Sequence, residues 1–336
     1  MQVQLNYPLK KYNTFSIDTY AKYFAAFATV EDLTFLLTDH SSTKTLILGG
    51  GSNLLFTKNY EGLVLKNEIK GIHTVHEDED HIYVKVGAGE SWHRFVMHCI
   101  KNNFSGVENL SLIPGNIGAS PMQNIGAYGV EIKDVFYSLE AFHLKEKRFA
   151  TFSANDCEFG YRESVFKRKY KDQFVILTVT YRLDKKTQYH ISYGAIKEEL
   201  EKMKVKELSI QAISQAVINI RTSKLPDPNV IGNAGSFFKN PEVAKNKFQE
   251  LKRIHPNIVG YDLQNGKVKL AAGWMIEQCG WKGYRRGDAG CYEKQALVLV
   301  NYGNASGEEI YGLSEEIKKS VKEKFDVDLE REVNII

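Results

Sequence analysis

The chain has 336 residues, 43% of them hydrophobic and 25% charged, with 44 lysines and arginines against 41 aspartates and glutamates. That length provides core material for about two or three domains, and a net charge of +3 is too small to point to nucleic acid or an anionic membrane surface. No apolar run reaches bilayer-spanning length. The opening residues lack the basic-then-apolar pattern of a secretory signal. The dispersed Cys99, Cys157, Cys279 and Cys291 make no CxxC pair, which speaks against a zinc site or a disulfide framework and fits a reducing cytoplasm.

Taken in chain order, Glu31 to Leu37 reads as a helix after Thr29, and Thr45 to Leu48 as a short apolar strand running into Gly49-Gly50-Gly51-Ser52-Asn53. Ile82 to Val86 alternates as a strand and stops at Gly87-Ala88-Gly89. Ser91 to Lys101 follows as a helix with Phe95 and Cys99 on one face. Val135 to Leu144 and Phe174 to Leu183 carry the β-branched and aromatic residues of strands. Ser209 is a plausible N-cap for a helix with Ile210, Ile213, Val217 and Ile220 at helical steps, and Pro226 and Pro228 punctuate its end. A helix ending near Cys279, a strand from Ala296 to Val300 and a final helix with Ile310, Leu313, Ile317 and Val321 on one face complete the pattern. Ser306 and Glu309 form a capping-box pair at the start of that last helix. The tail Leu329 to Ile336 alternates as a strand.

The stretch from Pro114 to Gly129, PGNIGASPMQNIGAYG, carries no charge. It is too glycine-rich for a core element and too apolar for a solvated linker. Its glycines allow close backbone approach and freed amides, so it reads as a loop around a phosphorylated, flat-ringed ligand; the plainer alternative is a packed chain reversal. The Gly49–Asn53 run is neither a GxGxxG fingerprint nor a P-loop, but paired with the second loop it suggests one ligand gripped from two sides. Arg162, in CEFGYR, is suited to a bidentate carboxylate contact or is a surface arginine in a turn. Ser236, in NAGSFFKNP, can donate a proton in a dry pocket or simply sit in a polar turn between packed rings. Glu332, near the end of the chain, would by itself read as a solvated terminal carboxylate.

Together these segments resemble the UDP-N-acetylenolpyruvoylglucosamine reductase family of bacterial peptidoglycan precursor synthesis. The resemblance rests on LGGGSNLL at Leu48 to Leu55, PGNIGASPMQNIGAYG, CEFGYRES at Cys157 to Ser164, KLPDP at Lys224 to Pro228, NAGSFFKNP, LAAGWMIEQ, KQALVLVN and the closing LEREV, all in the family's order. It implies an α+β fold: a two-lobed FAD-binding domain of the vanillyl-alcohol-oxidase (PCMH) type plus a third α+β substrate-binding domain. The implied divisions are 1–66 for the first lobe, 67–220 for the second with 324–336 returning to it, and 221–323 for the substrate domain. It also implies NADPH-dependent, FAD-mediated reduction of UDP-N-acetylglucosamine enolpyruvate to UDP-N-acetylmuramate.

On that resemblance, Arg162 and Glu332 stabilise charge at the substrate carboxylate and Ser236 delivers the proton. Non-covalent FAD contacts fall to Gly49, Gly50, Gly51, Ser52, Asn53, Pro114, Gly115, Gly118, Ser120, Gln123, Asn124, Gly126 and Ala127. Substrate contacts fall to Tyr128, Tyr193, Arg221, Lys224, Asn240 and Gln295, with Tyr193 on the insertion loop of the longer family type. No metal, nucleic acid, membrane or obligate protein partner is expected, and the location expected is the bacterial cytoplasm. The chain departs from the common pattern at Ser120 (alanine is usual), at Tyr292 (often histidine), and at Arg331 and Asn334, where proline and arginine are often seen. A sugar or alcohol oxidase on the same scaffold is the rival reading; such enzymes often tether FAD covalently, and no histidine lies beside Gly49–Asn53.

Overall fold

A computed structural model describes residues 2–40 and 43–336. The chain forms two compact units: Met1–Tyr7, Ala21–Gly50 and Glu61–Ser223 make the first, and Pro8–Tyr20, Gly51–Tyr60 and Lys224–Ile336 the second. The first glycine run thus straddles a passage of the chain from one unit to the other.

The first unit carries a four-stranded sheet in the order Gln4–Pro8, Tyr20–Phe27, Tyr60–Asn67, Thr45–Leu48. Its last two strands run parallel, Leu48 opposite Lys66. Helix Val30–Asp39 buries Leu33 and Leu36 against Ala25, Phe27, Leu63 and Leu65. Its start is fixed by a capping box in which Thr29 and Asp32 each accept from the other's backbone amide. A second, antiparallel sheet has the order Arg148–Ser153, Phe136–His143, Phe174–Asp184, His81–Gly87, Ile72–Glu77. Helix Trp92–Lys101, capped by Ser91, presents Trp92, Phe95, Val96 and Cys99 to Val84, Val86, Val179 and Tyr181 of that sheet. Each large apolar side chain so buried contributes about 1.5–3 kcal/mol before conformational entropy is subtracted. This packing holds the turns at the ends of the strands in place.

The second unit has a four-stranded sheet, Gly232–Ser236, Val298–Asn301, Ala289–Cys291, Arg285–Arg286, and a three-stranded one, Glu242–Ala244, Lys267–Leu270, Gly260–Asp262. Helix Gly307–Phe325 closes its core with Ile310, Leu313, Ile317 and Val321, and Ser306 and Glu309 form the expected capping box. The tail is strand only at Asn334–Ile335, which runs parallel to Leu54–Leu55. The mixed content agrees with the α+β class. Among the described residues no helix is long and apolar enough to cross a membrane, and no cluster of His, Cys, Asp or Glu could hold a metal ion.

Candidate active site

In the first unit, the parallel strand Thr45–Leu48 ends in Gly49-Gly50, and this turn meets the Pro114 loop backbone to backbone. A β-carbon on Gly50 would fall 2.8 Å from Gly115 Cα and 2.9 Å from Asn116 Oδ1, so only glycine permits the approach. Gly115 has φ +117°. The loop is stitched to the Gly87–Glu90 turn: Trp92 N donates to Gly115 O at 3.0 Å, Ile117 N to Glu90 O at 2.9 Å and Gly118 N to Ala88 O at 2.9 Å, and Asn116 Nδ2 donates to Gly89 O at 2.9 Å. Lys66 Nζ donates to Gly49 O at 2.7 Å, and burial lowers its pKa. The amides of Gly49, Gly50, Gly115 and Asn116 donate to no protein acceptor among the described residues. Unpaired amides with an ammonium beside them, at the carboxyl end of a parallel strand, fit a pyrophosphate. This donor set suits FAD without side-chain ligation.

The same loop continues into a support for Arg162. Ser120 turns its hydroxyl into the core, toward Ile117 O at 2.8 Å and Tyr181 Oη at 2.7 Å, so its extra oxygen satisfies a buried tyrosine. Asn124, fully buried at φ +44°, donates to Gly160 O at 3.0 Å and Glu131 Oε2 at 3.1 Å and accepts from Lys133 N at 3.0 Å. Gly160 and Glu163 exchange main-chain hydrogen bonds, and Arg162 lies within their turn at φ +55°. Its guanidinium donates to Gly126 O at 2.6 Å and Asn124 O at 3.4 Å and lies 5.4 Å from the Tyr161 ring centre. Gln123 and Ala127 are half-buried and Pro114 exposed along this loop.

Arg221, on helix Ile210–Lys224, donates from Nε to Leu112 O at 3.3 Å. Desolvation lowers its pKa; Tyr128 opposes that shift and the nearby Arg162 adds to it. Burial raises the Tyr128 pKa, while Arg221 works in the other direction. The Tyr128 ring meets Tyr193 edge-on at 5.5 Å. His93 accepts from Leu112 N at 3.0 Å through Nδ1, and burial, then Arg221, lowers its pKa. Arg162 and Arg221 thus raise a local positive potential suited to carboxylate or diphosphate.

In the second unit, Gly235 at φ +69° puts a kink before Ser236. Ser236 is half-buried, and its hydroxyl bonds to no protein group among the described residues. The adjoining Phe237 and Phe238 are buried with ring centres 5.3 Å apart. The tail pairs with this segment: Glu332 N donates to Phe237 O at 2.8 Å and Lys239 N to Glu330 O at 2.9 Å, and buried Lys239 pairs with the Glu330 carboxylate at 2.5 Å. Asn53 Nδ2 reaches Glu332 O at 3.2 Å. Asn334 donates to Asn53 O from its amide at 3.1 Å and its side chain at 2.9 Å. The main chain of Glu332 is therefore held between Asn53 and the Ser236 segment. Arg331 faces away, onto Ser314 Oγ at 2.9 Å, over Tyr311 and beside Glu315.

The remaining expected residues are more scattered. Gly51 takes φ +66° against Tyr12 O, and Ser52 is half-buried. Lys224 is exposed. Asn240 Oδ1 accepts from Ala272 N at 3.0 Å and Gln295 Oε1 from Leu297 N at 3.3 Å, which leaves their amide NH2 groups as donors. Tyr292 is buried beside Val298 and Val300. Sequence reasoning missed Lys66, for which a lone lysine in the apolar run LVLKN was the available signal.

Comparison with known proteins agrees with this geometry. A profile described as an FAD binding domain matches residues 21–145, and one described as the C-terminal domain of UDP-N-acetylenolpyruvoylglucosamine reductase matches residues 227–336. The first match places the molecule in the class of FAD-binding proteins. Over the full length of both chains, it is 50% identical to the UDP-N-acetylenolpyruvoylglucosamine reductases of Flavobacterium johnsoniae and of Amoebophilus asiaticus. The chain belongs to the UDP-N-acetylenolpyruvoylglucosamine reductase family. The crystal structure of that reductase from Thermus caldophilus shares the fold, with a TM-score of 0.69 at 23% identity over 99% of this chain and 98% of that one.

Proposed function

We propose that the chain reduces the enolpyruvyl ether of UDP-N-acetylglucosamine to the lactyl ether of UDP-N-acetylmuramate, consuming NADPH and one proton. The observation that carries the reading is Arg162, held at φ +55° by carbonyls of the same loop whose amides form the glycine cradle. When bound, FAD supplies a two-electron hydride relay from NADPH to the vinyl carbon. The cradle of Gly49, Gly50, Gly115 and Asn116 takes its pyrophosphate, with Gly51, Ser52, Asn53, Gly118, Gln123, Gly126 and Ala127 lining the cofactor; Ser120 and Asn124 shape the loop from behind.

The chain's own residues handle charge and the proton. Arg162 takes the substrate carboxylate bidentately and stabilises the negative charge that builds beside it. Glu332, on its clamped backbone, assists at that carboxylate. Ser236 delivers the proton to the carbon α to the carboxylate, from a hydroxyl with no partner among the described residues to compete for it. Tyr128, Tyr193, Arg221, Lys224, Asn240 and Gln295 hold the nucleotide and its diphosphate. We read 1–66 and 67–220, with 324–336, as the cofactor lobes and 221–323 as the substrate domain, working in the bacterial cytoplasm without a protein partner.

Steady-state turnover tests the reading. NADPH oxidation should depend on the enolpyruvyl sugar nucleotide and yield one lactyl ether per NADPH without peroxide. Stoichiometric peroxide from an alcohol or sugar, with no reduction of the enolpyruvyl ether, would contradict it.

A further inference from the structure

Asn109 lies in the short turn Glu108–Leu110, 1% exposed, and has no part in the chemistry above. Its Nδ2 carries two hydrogens and meets two carbonyls, Tyr128 O at 3.0 Å and His190 O at 2.8 Å. Its Oδ1 is buried without a partner among the described residues. The reverse orientation would set that oxygen against both carbonyls, so they fix the amide as it stands. A buried oxygen left unsatisfied is unfavourable, and the arrangement persists with both donors engaged.

The two carbonyls belong to segments with little regular structure of their own. Tyr128 sits at φ +50° before Gly129. His190 lies between strand Phe174–Asp184 and helix Gly194–Lys202. Around it, Tyr189 Oη donates to Leu208 O at 2.9 Å, and Ile191 packs with Tyr128 on the cluster of Ile196, Leu200 and Val217. Three residues beyond His190, Tyr193 is 51% exposed yet meets the Tyr128 ring at 5.5 Å. One buried amide therefore ties together the main chains that carry this tyrosine pair.

We propose that Asn109 is a positioning residue: it tethers the Tyr193 segment to the Tyr128 loop and thereby sets how firmly the nucleotide end of the substrate is held. The inference rests on the reading of Tyr128 and Tyr193 as substrate contacts. The tether itself is tested independently of that reading, by hydrogen exchange over residues 186–194 of the FAD-loaded protein. In Asn109→Ala, exchange there should accelerate about tenfold, with the strands of both units unchanged. The KM for the enolpyruvyl sugar nucleotide should rise by about the same factor, while the rate of flavin reduction by NADPH stays at the parental value. In a Tyr193→Ala background, adding Asn109→Ala should change KM by less than about twofold, because both act through one contact. Asn109→Asp, equal in size but without the donors, should behave as the alanine variant does.

Unchanged exchange over 186–194 would overturn the proposal, as would additive KM effects or failure of both variants to fold. If the parental protein turned over no enolpyruvyl substrate while the exchange effect remained, the functional reading would fail and the tether would stand.

Discussion

Arg162 occupies a left-handed backbone conformation that is unfavourable for a non-glycine residue by roughly 1–2 kcal/mol. Two loop carbonyls hold its guanidinium there, and such strain concentrates where side-chain direction matters. Ser236 has the opposite character, on a glycine-kinked strand with a hydroxyl that bonds to no protein group among the described residues. Ser236→Ala should leave flavin reduction by NADPH intact and slow reoxidation by the enolpyruvyl substrate by about 10²–10⁴-fold in stopped flow; equal slowing of both half-reactions would make the serine structural. Glu108 gives a pH prediction. Burial raises its carboxyl above the ordinary 4.5 despite a hydrogen bond from Gly106 N. The folded state therefore retains a proton that the unfolded chain releases, and stability present below the ordinary glutamate value is lost as pH rises through the shifted one. Glu108→Gln should raise Tm at about pH 7.5, with the gain shrinking to nothing by about pH 4. Burial likewise pushes the Cys157 and Cys291 thiols up to about 12. In the folded protein neither should react with a thiol reagent at about pH 8, and denaturant should expose both.

At the scale of elements, the helices were legible where capping and period agreed. Thr29, Ser91 and Ser306 each cap the helix expected after them. The strands that escaped notice have identifiable reasons. Tyr20–Phe27 is rich in alanine, Tyr60–Asn67 contains a glycine, and Ile72–Glu77 is an exposed edge without an apolar face, so period-two alternation is blurred in each. The tail alternates in sequence but has few strand partners: Val333 is 4% exposed and Ile335 36%, and pairing is confined to Leu54–Leu55 and the Phe238–Arg331 bridge. The helix that ends before this tail starts with no room to spare. A β-carbon on Gly307 would lie 1.7 Å from Phe56 O. Gly307→Ala should destabilise the protein by about 1–3 kcal/mol, read by thermal or denaturant unfolding, whereas Gly312→Ala, with open space around it, should be neutral or stabilising. If the two variants unfolded alike, the packing assigned to the helix start would be wrong.

For the whole molecule, the motifs identified in sequence fall into each unit in a way that spacing alone does not specify. The glycine cradle, Arg162, Arg221 and the tyrosine pair belong to the first; in the second, the Asn53 side chain donates to the Glu332 carbonyl 279 residues away, and the Glu332 amide donates to Phe237 O, next to Ser236. The glycine loops were legible because only glycine tolerates such close backbone approach. Asn109 and Lys66 were not, because a lone amide or ammonium acquires meaning only from the carbonyls that folding brings to it. Full-length identity of 50% to reductases from two organisms gives the chain its family, and the amide cradle is the seat proposed for the cofactor pyrophosphate. The most direct test follows the absorbance of the purified protein without oxygen. The protein should be yellow, with a flavin band that bleaches with NADPH and returns, in one equivalent, on adding the enolpyruvyl sugar nucleotide. A colourless protein that takes up no FAD, or a bleached flavin that the substrate leaves reduced, would contradict the proposed function.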